Sequence, residues 1–174
     1  MMRIQKGLTL IEVLVTLVIT SIGLLGVVAL QATGLQEART SLQRTIALNE
    51  ARAIIDAMKA NQEGVASDAY DSLSGLPAST INCRLNNCTA ADLAIFDHTQ
   101  WANRISAQLT NGSAFVCEGL AGFSPTGPTS CGVDQNNVFS VVIYWDEDKD
   151  NSGDMSCNGN PGTMQCLLYT ATFN

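Results

Sequence analysis

The apolar run from Leu8 to Leu30 places the strongest constraint on how this chain of 174 residues can fold. At about 1.5 Å per residue, a helix of this length can cross a bilayer. No Ala-x-Ala cleavage site follows the run, so it is not typical of a secretory signal peptide. Arg3 and Lys6 precede it, which predicts a cytoplasmic N-terminus and an external location for the rest of the chain.

Glu12 is the only charged residue within this run. A carboxylate inside hydrocarbon costs about 3 kcal/mol on insertion scales, so a partner normally stabilises it. Two explanations are open from position alone. Glu12 lies near the start of the run and could reach the lipid headgroups, or it could bind a cationic partner within the membrane.

The segment Gly7-Leu8-Thr9-Leu10-Ile11-Glu12 resembles the signal of type IV prepilins and type II secretion pseudopilins, and the likeness covers about the first 30 residues. The resemblance implies that a prepilin peptidase cuts between Gly7 and Leu8 and methylates the new amine of Leu8. It also implies that Glu12 pairs with the N-terminal amine of a neighbouring subunit. Most family members have Phe at the position of Leu8, and many major pilins have Pro where Ala29 stands.

The apolar run continues into an amphipathic segment that extends to about Asn61. Its apolar residues recur at helical spacing: Leu35, Ala38, Leu42, Ile46, Ala51, Ile54, Ile55 and Met58. No proline occurs between positions 8 and 76, which predicts one helix of roughly 50 residues with Gly64 as its stop signal. Gly23, Gly26 and Gly34 would allow close approach of helices in a filament, or would simply make a membrane helix more flexible.

The sequence after the long helix predicts a domain that contains both a helix and strands. Thr89–Asp92 is close to a capping box and opens a short helix, with Asp97–Thr99 as the point where it could break. After Gly112 the pattern changes to strands, and the alternating segments Val138–Trp145 and Leu167–Phe173 are expected to pair antiparallel against the long helix. The fold class is therefore α+β, and the resemblance implies a type IV pilin-like fold.

The predicted organisation has three parts. Residues 1–7 form a cleaved leader, residues 8–31 a transmembrane or filament-core helix, and residues 32–174 a periplasmic domain. Within that domain we expect an amphipathic half-helix at 32–62, a connecting region with a short helix at 63–112, and a sheet with disulfide loops at 113–174.

All six cysteines follow position 80, which favours an oxidising compartment. Six cysteines permit 15 pairings. Loop closure favours the nearest neighbours as partners, which gives Cys83 with Cys88, Cys117 with Cys131 and Cys157 with Cys166. A structural zinc site is the alternative, but the chain has one histidine and no CxxC pair.

An acidic stretch between the two predicted strands carries a calcium hypothesis. Its oxygen ligands would be Asp146, Asp148, Asp150, Ser152 and Asp154, spaced as in the first part of a calcium loop. Gly153 comes two residues later than in such loops, and Cys157 stands where a closing Glu is expected. An acidic, solvated loop is the other interpretation, and no other cofactor is expected.

Nucleic-acid binding and enzymatic activity are not expected. The formal charge is −7 and the basic residues are scattered, whereas duplex binding requires a concentrated basic face. Any Ser-His-Asp or Cys-His scheme would depend on His98, which we interpret as a surface or capping residue. Asp97 and Trp101 are interpreted as cap and core or as an interface patch.

Two further segments, Ala60–Gly64 and Cys88–Trp101, resemble the minor pilins of the PilV kind in type IV pilus systems. The second segment contains Cys88-Thr89 and Phe96-Asp97-x-x-Gln100-Trp101. The resemblance implies a subunit that primes pilus assembly with other minor pilins and the major pilin, and that helps to display a PilY-type tip adhesin. A type II secretion pseudopilin and a membrane-tethered calcium-dependent adhesion module are the alternatives.

Overall fold

One long helix forms the N-terminal part of the molecule. The computed structural model describes residues 9–71, 73–74, 82–119, 122–124, 127–129, 137–147 and 164–173. Helix α1, Leu10–Ala60, contains 51 residues. It begins directly after Thr9, whose carbonyl accepts hydrogen bonds from the N–H groups of Glu12 and Val13 at 3.0 and 3.3 Å. The prediction of a single helix of about 50 residues is confirmed.

The chain divides into two compact units, Met1–Ser41 and Leu42–Asn174. The described part of the first unit consists of the beginning of α1. The second unit contains the end of α1 and all the other helices and strands that the structure describes, and it has its own hydrophobic core.

Helix α2, Gln62–Ala66, follows α1 after a single residue. That residue, Asn61, caps α2, because its side-chain oxygen accepts a hydrogen bond from the N–H of Gly64 at 3.2 Å. The prediction that Gly64 ends the long helix is wrong, since α1 ends at Ala60 and Gly64 lies inside α2. The asparagine side chain offers the backbone an alternative to continued helical bonding, which starts a new helix at this point.

Helix α3, Ala90–Gln108, begins with the predicted capping box. The hydroxyl of Thr89 accepts a hydrogen bond from the N–H of Asp92 at 3.1 Å, and the Asp92 carboxylate accepts one from the N–H of Thr89 at 3.3 Å. The helix does not break at Asp97–Thr99. His98 and Trp101 are fully buried on its inner face, and tertiary packing of this kind stabilises a helix more than local propensity does.

An antiparallel sheet of four strands completes the second unit. In spatial order its strands are β1 (Leu73–Ser74), β2 (Ser113–Glu118), β5 (Val138–Trp145) and β6 (Gln165–Thr172). Between β2 and β5 along the chain, β3 (Gly122–Ser124) and β4 (Gly127–Thr129) form a separate antiparallel pair. The predicted pairing of the last two long strands is confirmed, with Val141 opposite Tyr169.

The main core lies between this sheet, α3 and the last turns of α1. The alternation predicted for β5 places four of its side chains in the core: Phe139, Val141, Ile143 and Trp145. Alternate residues of the last strand region pack against the same core: Leu167, Tyr169, Ala171 and Phe173. The helix is therefore packed on a small antiparallel sheet, and the predicted α+β class is confirmed.

The buried stripe of α1 begins later than predicted. Its buried residues are Ala47, Ala51, Ile54, Ile55 and Met58, with Ile46 partly buried. Ala38 is exposed, and Leu35 and Leu42 are 65% and 59% exposed, although their spacing predicted the same buried face. The sheet and α3 pack against the last turns of α1, and the apolar spacing extends beyond that contact.

The opposite face of the sheet is also buried. Phe115, Cys117, Val142, Tyr144 and Met164 form a second apolar cluster there. Strand β5 is therefore buried on both faces, which accounts for its nearly continuous apolar sequence. The central position of β5, between β2 and β6, is what places it between the two clusters.

Candidate functional site

The first part of α1 exposes an apolar surface on every side. From Leu10 to Ala38 every residue is exposed, and the large apolar side chains there lie between 45% and 79% exposed. Among the described residues, α1 is the one helix long and apolar enough to cross a membrane. A soluble surface rarely shows a contiguous apolar patch of more than a few hundred Å², so this part of the helix requires a cover.

The hydroxyl groups of this segment are bonded within the helix itself. Thr16 and Thr33 each donate to a carbonyl three or four residues earlier, at 2.8 and 3.1 Å. Thr20 and Ser21 do the same at 2.8 and 2.7 Å. In hydrocarbon a polar group must form its hydrogen bonds within the protein. These hydroxyls do so with carbonyls of their own helix and need no second helix.

Glu12 lies in the first turn of α1 and is exposed. The partial positive charge at a helix N-terminus favours a carboxylate at this position. Among the residues that the structure describes, none donates a hydrogen bond or ion pair to its side chain. The predicted processing residues, Gly7 and Leu8, lie outside the described residues. Cleavage, methylation and the pairing of Glu12 therefore stay predictions.

The glycines of the apolar segment have open space around them. A Cβ atom added at Gly23, Gly26 or Gly34 would meet nothing within 4 Å. Their small size is therefore not required by contacts within this chain, and close packing of helices between subunits stays a prediction.

A polar cluster of the buried Asn61 and Tyr70 and the half-buried Asp97, called the buried cluster below, joins the end of α1 to α2 and α3. The side-chain N–H₂ of Asn61 donates to the carbonyl of Ala90 at 2.8 Å and to the hydroxyl of Tyr70 at 3.2 Å. The Tyr70 hydroxyl donates in turn to the Asp97 carboxylate at 3.2 Å. Burial raises the pKa of Asp97 above its ordinary value, and the hydrogen bond from Tyr70 opposes this shift. Burial raises the pKa of Tyr70 as well.

A second set of contacts fixes the middle of α3 against α1. The indole N–H of Trp101 donates to the Glu50 carbonyl at 2.8 Å. The carboxylate of Glu50 forms an ion pair with Arg104 at 3.1 Å and accepts from the Gln108 side chain at 3.3 Å. Trp101 is thus a core residue, as one of the two interpretations held, whereas Asp97 belongs to the buried cluster and caps no helix.

His98 is fully buried, and its ring lies edge-on to Trp101 with 5.5 Å between ring centroids. The prediction that His98 is a surface or capping residue is therefore wrong. It occupies the inner face of α3 together with Ala94, Ala102 and Ile105, at the spacing of a buried helical stripe. This periodicity was visible in the sequence and would have placed His98 in the core.

The cysteines are consistent with an oxidised domain. Cys83 and Cys88 form a disulfide with a Cα–Cα distance of 5.5 Å. Cys117 and Cys166 are also disulfide-bonded. Their predicted partners, Cys131 and Cys157, lie outside the described residues, so the other two pairings stay predictions.

Only one of the five predicted calcium ligands lies among the described residues. Asp146 is 3% exposed, and its carboxylate accepts a hydrogen bond from the Asn111 side chain at 3.2 Å. The other four, Asp148, Asp150, Ser152 and Asp154, lie outside them. Within the described part of the chain, no three His, Cys, Asp or Glu residues are grouped as metal ligands would be.

Comparison with known proteins identifies the N-terminal segment. Residues 2–28 match the family described as the prokaryotic N-terminal methylation motif. No curated protein and no solved structure matches the chain. The motif supports a type IV pilin or pseudopilin that is processed by prepilin peptidase, and it points to a structural subunit rather than an enzyme. The long helix and small antiparallel sheet form a pilin-like layout, and the motif with the apolar helix suggests membrane anchoring and assembly with other pilins.

Proposed function

We propose that this chain is a minor pilin of a type IV pilus, of the PilV kind. One observation carries the proposal: the methylation motif at residues 2–28 extends into a helix whose first half, from Leu10 to Ala38, exposes its apolar side chains on all sides. Such a surface is compatible first with lipid and then with the helices of other subunits. The compact second unit would be the part that the filament displays.

Processing would convert the membrane protein into a filament subunit. Cleavage between Gly7 and Leu8 removes Arg3 and Lys6, which leaves seven basic and 16 acidic side chains and a formal charge of −9. The mature chain then has no side-chain cations before its apolar helix to hold it at the cytoplasmic face. Extraction into a growing filament therefore becomes less costly, with the second unit on the periplasmic side.

Glu12 would bind the methylated amine of Leu8 in a neighbouring subunit. A carboxylate and an ammonium group each lose hydration when they enter an apolar bundle, and pairing recovers much of that cost. Because the pair forms only in one register, it would set the axial position of each subunit. A subunit that retains Glu12 therefore requires a neighbouring subunit whose N-terminal amine binds this carboxylate.

The two segments that resemble PilV-like minor pilins contribute the buried cluster of the second unit. Asn61 comes from the first and Asp97 from the second, and Tyr70 bridges them. These contacts would hold α1, α2 and α3 in a fixed arrangement, so that the domain presents one surface to other minor pilins, to the major pilin and to a PilY-type tip adhesin. Priming of pilus assembly would follow from that presentation.

Mass spectrometry of the protein extracted from membranes and from sheared pili tests the proposal. We expect a mature chain that begins at Leu8 and carries one methyl group. An intact Met1, or a conventional signal-peptidase cut after about residue 20, would contradict it. A type II secretion pseudopilin would show the same processing but would be absent from sheared pili, so the second sample separates the two.

Calcium binding by the acidic segment that follows β5 is a separate proposal. Asp146, Asp148, Asp150, Ser152 and Asp154 would supply the oxygen ligands, and calcium would offset the repulsion between the carboxylates. Calorimetry of a fragment that begins at about residue 32 should show heat on addition of calcium, and an Asp148→Asn, Asp150→Asn double variant should lose it. Absence of heat from the unaltered fragment would favour the acidic, solvated loop.

A further inference from the structure

A small disulfide-closed loop displays the most exposed large apolar side chain of the described residues. The Cys83–Cys88 bond closes a loop of four residues, Arg84-Leu85-Asn86-Asn87, and all four are exposed. Leu85 is 82% exposed, more than any of the apolar side chains of α1. A single exposed leucine is ordinary, so the support and the neighbours of Leu85 decide whether it has a function.

The loop is held in one conformation from both ends. At its start, the side-chain oxygen of Asn82 accepts from the N–H of Arg84 at 3.0 Å. The Asn82 carbonyl accepts from the N–H groups of Leu85 and Asn86, each at 3.1 Å. A side chain presented on a preorganised loop loses less conformational entropy on binding, which lowers one of the costs of a small contact.

The end of the loop is fixed to the helical part of the domain. Cys88 directly precedes Thr89, the N-cap residue of α3. One residue later, the carbonyl of Ala90 accepts the hydrogen bond from Asn61 that joins α3 to the end of α1. The position of Leu85 is therefore set by the same cluster that fixes the helices.

The charge beside Leu85 belongs to one of three basic side chains, with Arg39 and Arg52, that have no carboxylate within ion-pair distance among the described residues. The formal charge is −7, and Arg44, Lys59 and Arg104 each have an acidic partner. Arg84 is exposed, and among the described residues no carboxylate lies within ion-pair distance of it. The loop thus offers a leucine and an available guanidinium, flanked by neutral asparagines, to a surface of complementary chemistry.

We propose that this loop docks on a neighbouring subunit of the same filament, with Leu85 in an apolar pocket and Arg84 against a carboxylate at its rim. This rests on the proposed function. A loop of four residues buries far less than the roughly 800 Å² per partner of a free-standing complex. It can therefore hold only a partner that is already tethered beside it, as co-assembled helices would tether a subunit.

The test places a photoreactive amino acid at position 85 of the full chain, expressed in its own bacterium in place of the native copy. A second version places it at Ser106, which is exposed on α3. After irradiation, pili are sheared and adducts are mapped by mass spectrometry. We expect an adduct from position 85 to one site on one pilus subunit, beside a carboxylate, and no such adduct from position 106.

Charge reversal makes the test specific. Arg84→Glu should lower the yield of the position-85 adduct about fivefold or more, as expected for the loss of about 1 kcal/mol. The matched control Arg52→Glu reverses an exposed charge on α1 and should leave the yield unchanged. Replacement of the partner carboxylate by lysine should restore the yield with Arg84→Glu. A Cys83→Ser, Cys88→Ser double variant should also lower it, because the loop is then no longer preorganised.

Three results would overturn the proposal. If the unaltered protein is present in pili but position 85 gives no adduct, or an adduct that Arg84→Glu does not weaken, the docking is wrong and the pilin assignment stands. If the unaltered protein is absent from pili, the proposed function fails, and the docking fails with it.

Discussion

Helix α1 contains two halves with the same secondary structure and opposite surroundings. The more apolar half, from Leu10 to Ala38, is exposed throughout, whereas the mixed half between Ala47 and Met58 contributes five residues to the core. Apolarity alone therefore does not identify the part of this helix that is buried within the chain. We infer that lipid or other subunits cover the first half, whereas the rest of this chain covers the second half.

The same contrast separates the polar groups of the two halves. Among the residues that the structure describes, polar side chains in the first half bond only to their own helix, as Thr16 and Thr20 do. In the second half they bond across elements, as the Glu50 carboxylate does with Arg104 and Gln108. A segment with no cross-links is free to exchange lipid for protein neighbours. A segment with many cross-links fixes the shape of one domain.

The largest expected effect is on assembly, at Glu12. Glu12→Val should leave cleavage after Gly7 nearly unchanged, yet lower incorporation into pili about tenfold or more, because the neighbouring amine is left buried without a partner, at a cost of about 3–5 kcal/mol. Quantitative mass spectrometry of membranes and sheared pili measures both. The matched control Glu37→Val removes an exposed charge from the same helix and should be incorporated normally. Normal incorporation of the Glu12 variant would show that this carboxylate does not set the register.

Substitutions in the buried second half of α1 should lower the free energy of unfolding of the domain. Met58 is fully buried, and Met58→Ala should lower the free energy of unfolding of a fragment that begins at about residue 32 by about 2–5 kcal/mol. Leu42→Ala, at a residue 59% exposed, should change it by less than about 0.5 kcal/mol. Urea unfolding followed by tryptophan fluorescence measures the difference. Equal losses for the two variants would mean that the buried stripe begins before Ile46.

Two glycines extend the comparison to backbone contacts. A Cβ atom at Gly64 would lie 2.5 Å from the side-chain nitrogen of Asn61 and 3.1 Å from the Ala90 carbonyl. Gly64→Ala should therefore cost about 1–3 kcal/mol, since Asn61 cannot move without losing its hydrogen bonds. Gly34→Ala, in open space, should not destabilise the domain. Thermal unfolding of both full-length variants in micelles tests this, and an unaffected Gly64 variant would show that the cluster is adaptable.

Local sequence patterns were sufficient to predict most of the elements. The length of α1, the capping box at Thr89 and the pairing of β5 with β6 each depend on residues close in sequence or on a regular period. The role of Gly64 was not predicted, because it depends on packing beside the Ala90 carbonyl in a distant part of the chain, whereas the burial of His98 follows a helical period that the sequence already contained. Asn61 bonds to Ala90, 29 residues away, and no local pattern predicts this contact.

The candidate site also contains residues that the sequence alone reveals and residues that it does not. Gly7, Leu8 and Glu12 form a contiguous motif, so the sequence alone could single them out, and the match over residues 2–28 supports the class. Tyr70 was missed, although it bridges Asn61 and Asp97. No period or motif marks Tyr70, and its role depends on a contact 27 residues along the chain.

The smallest expected effect is the pH dependence that Asp97 gives to the second half. Burial raises the pKa of this carboxyl, so the folded state disfavours its ionised form. Asp97 should therefore add stability as the pH falls through its raised pKa towards the ordinary carboxyl value of about 3.9. Asp97→Asn retains an acceptor for Tyr70 but cannot titrate. The free energy of unfolding of the unaltered fragment, minus that of the variant, should thus increase between pH 7 and pH 4. A constant difference would show that folding does not shift the pKa of Asp97, and a decreasing one that the site favours the ionised carboxylate.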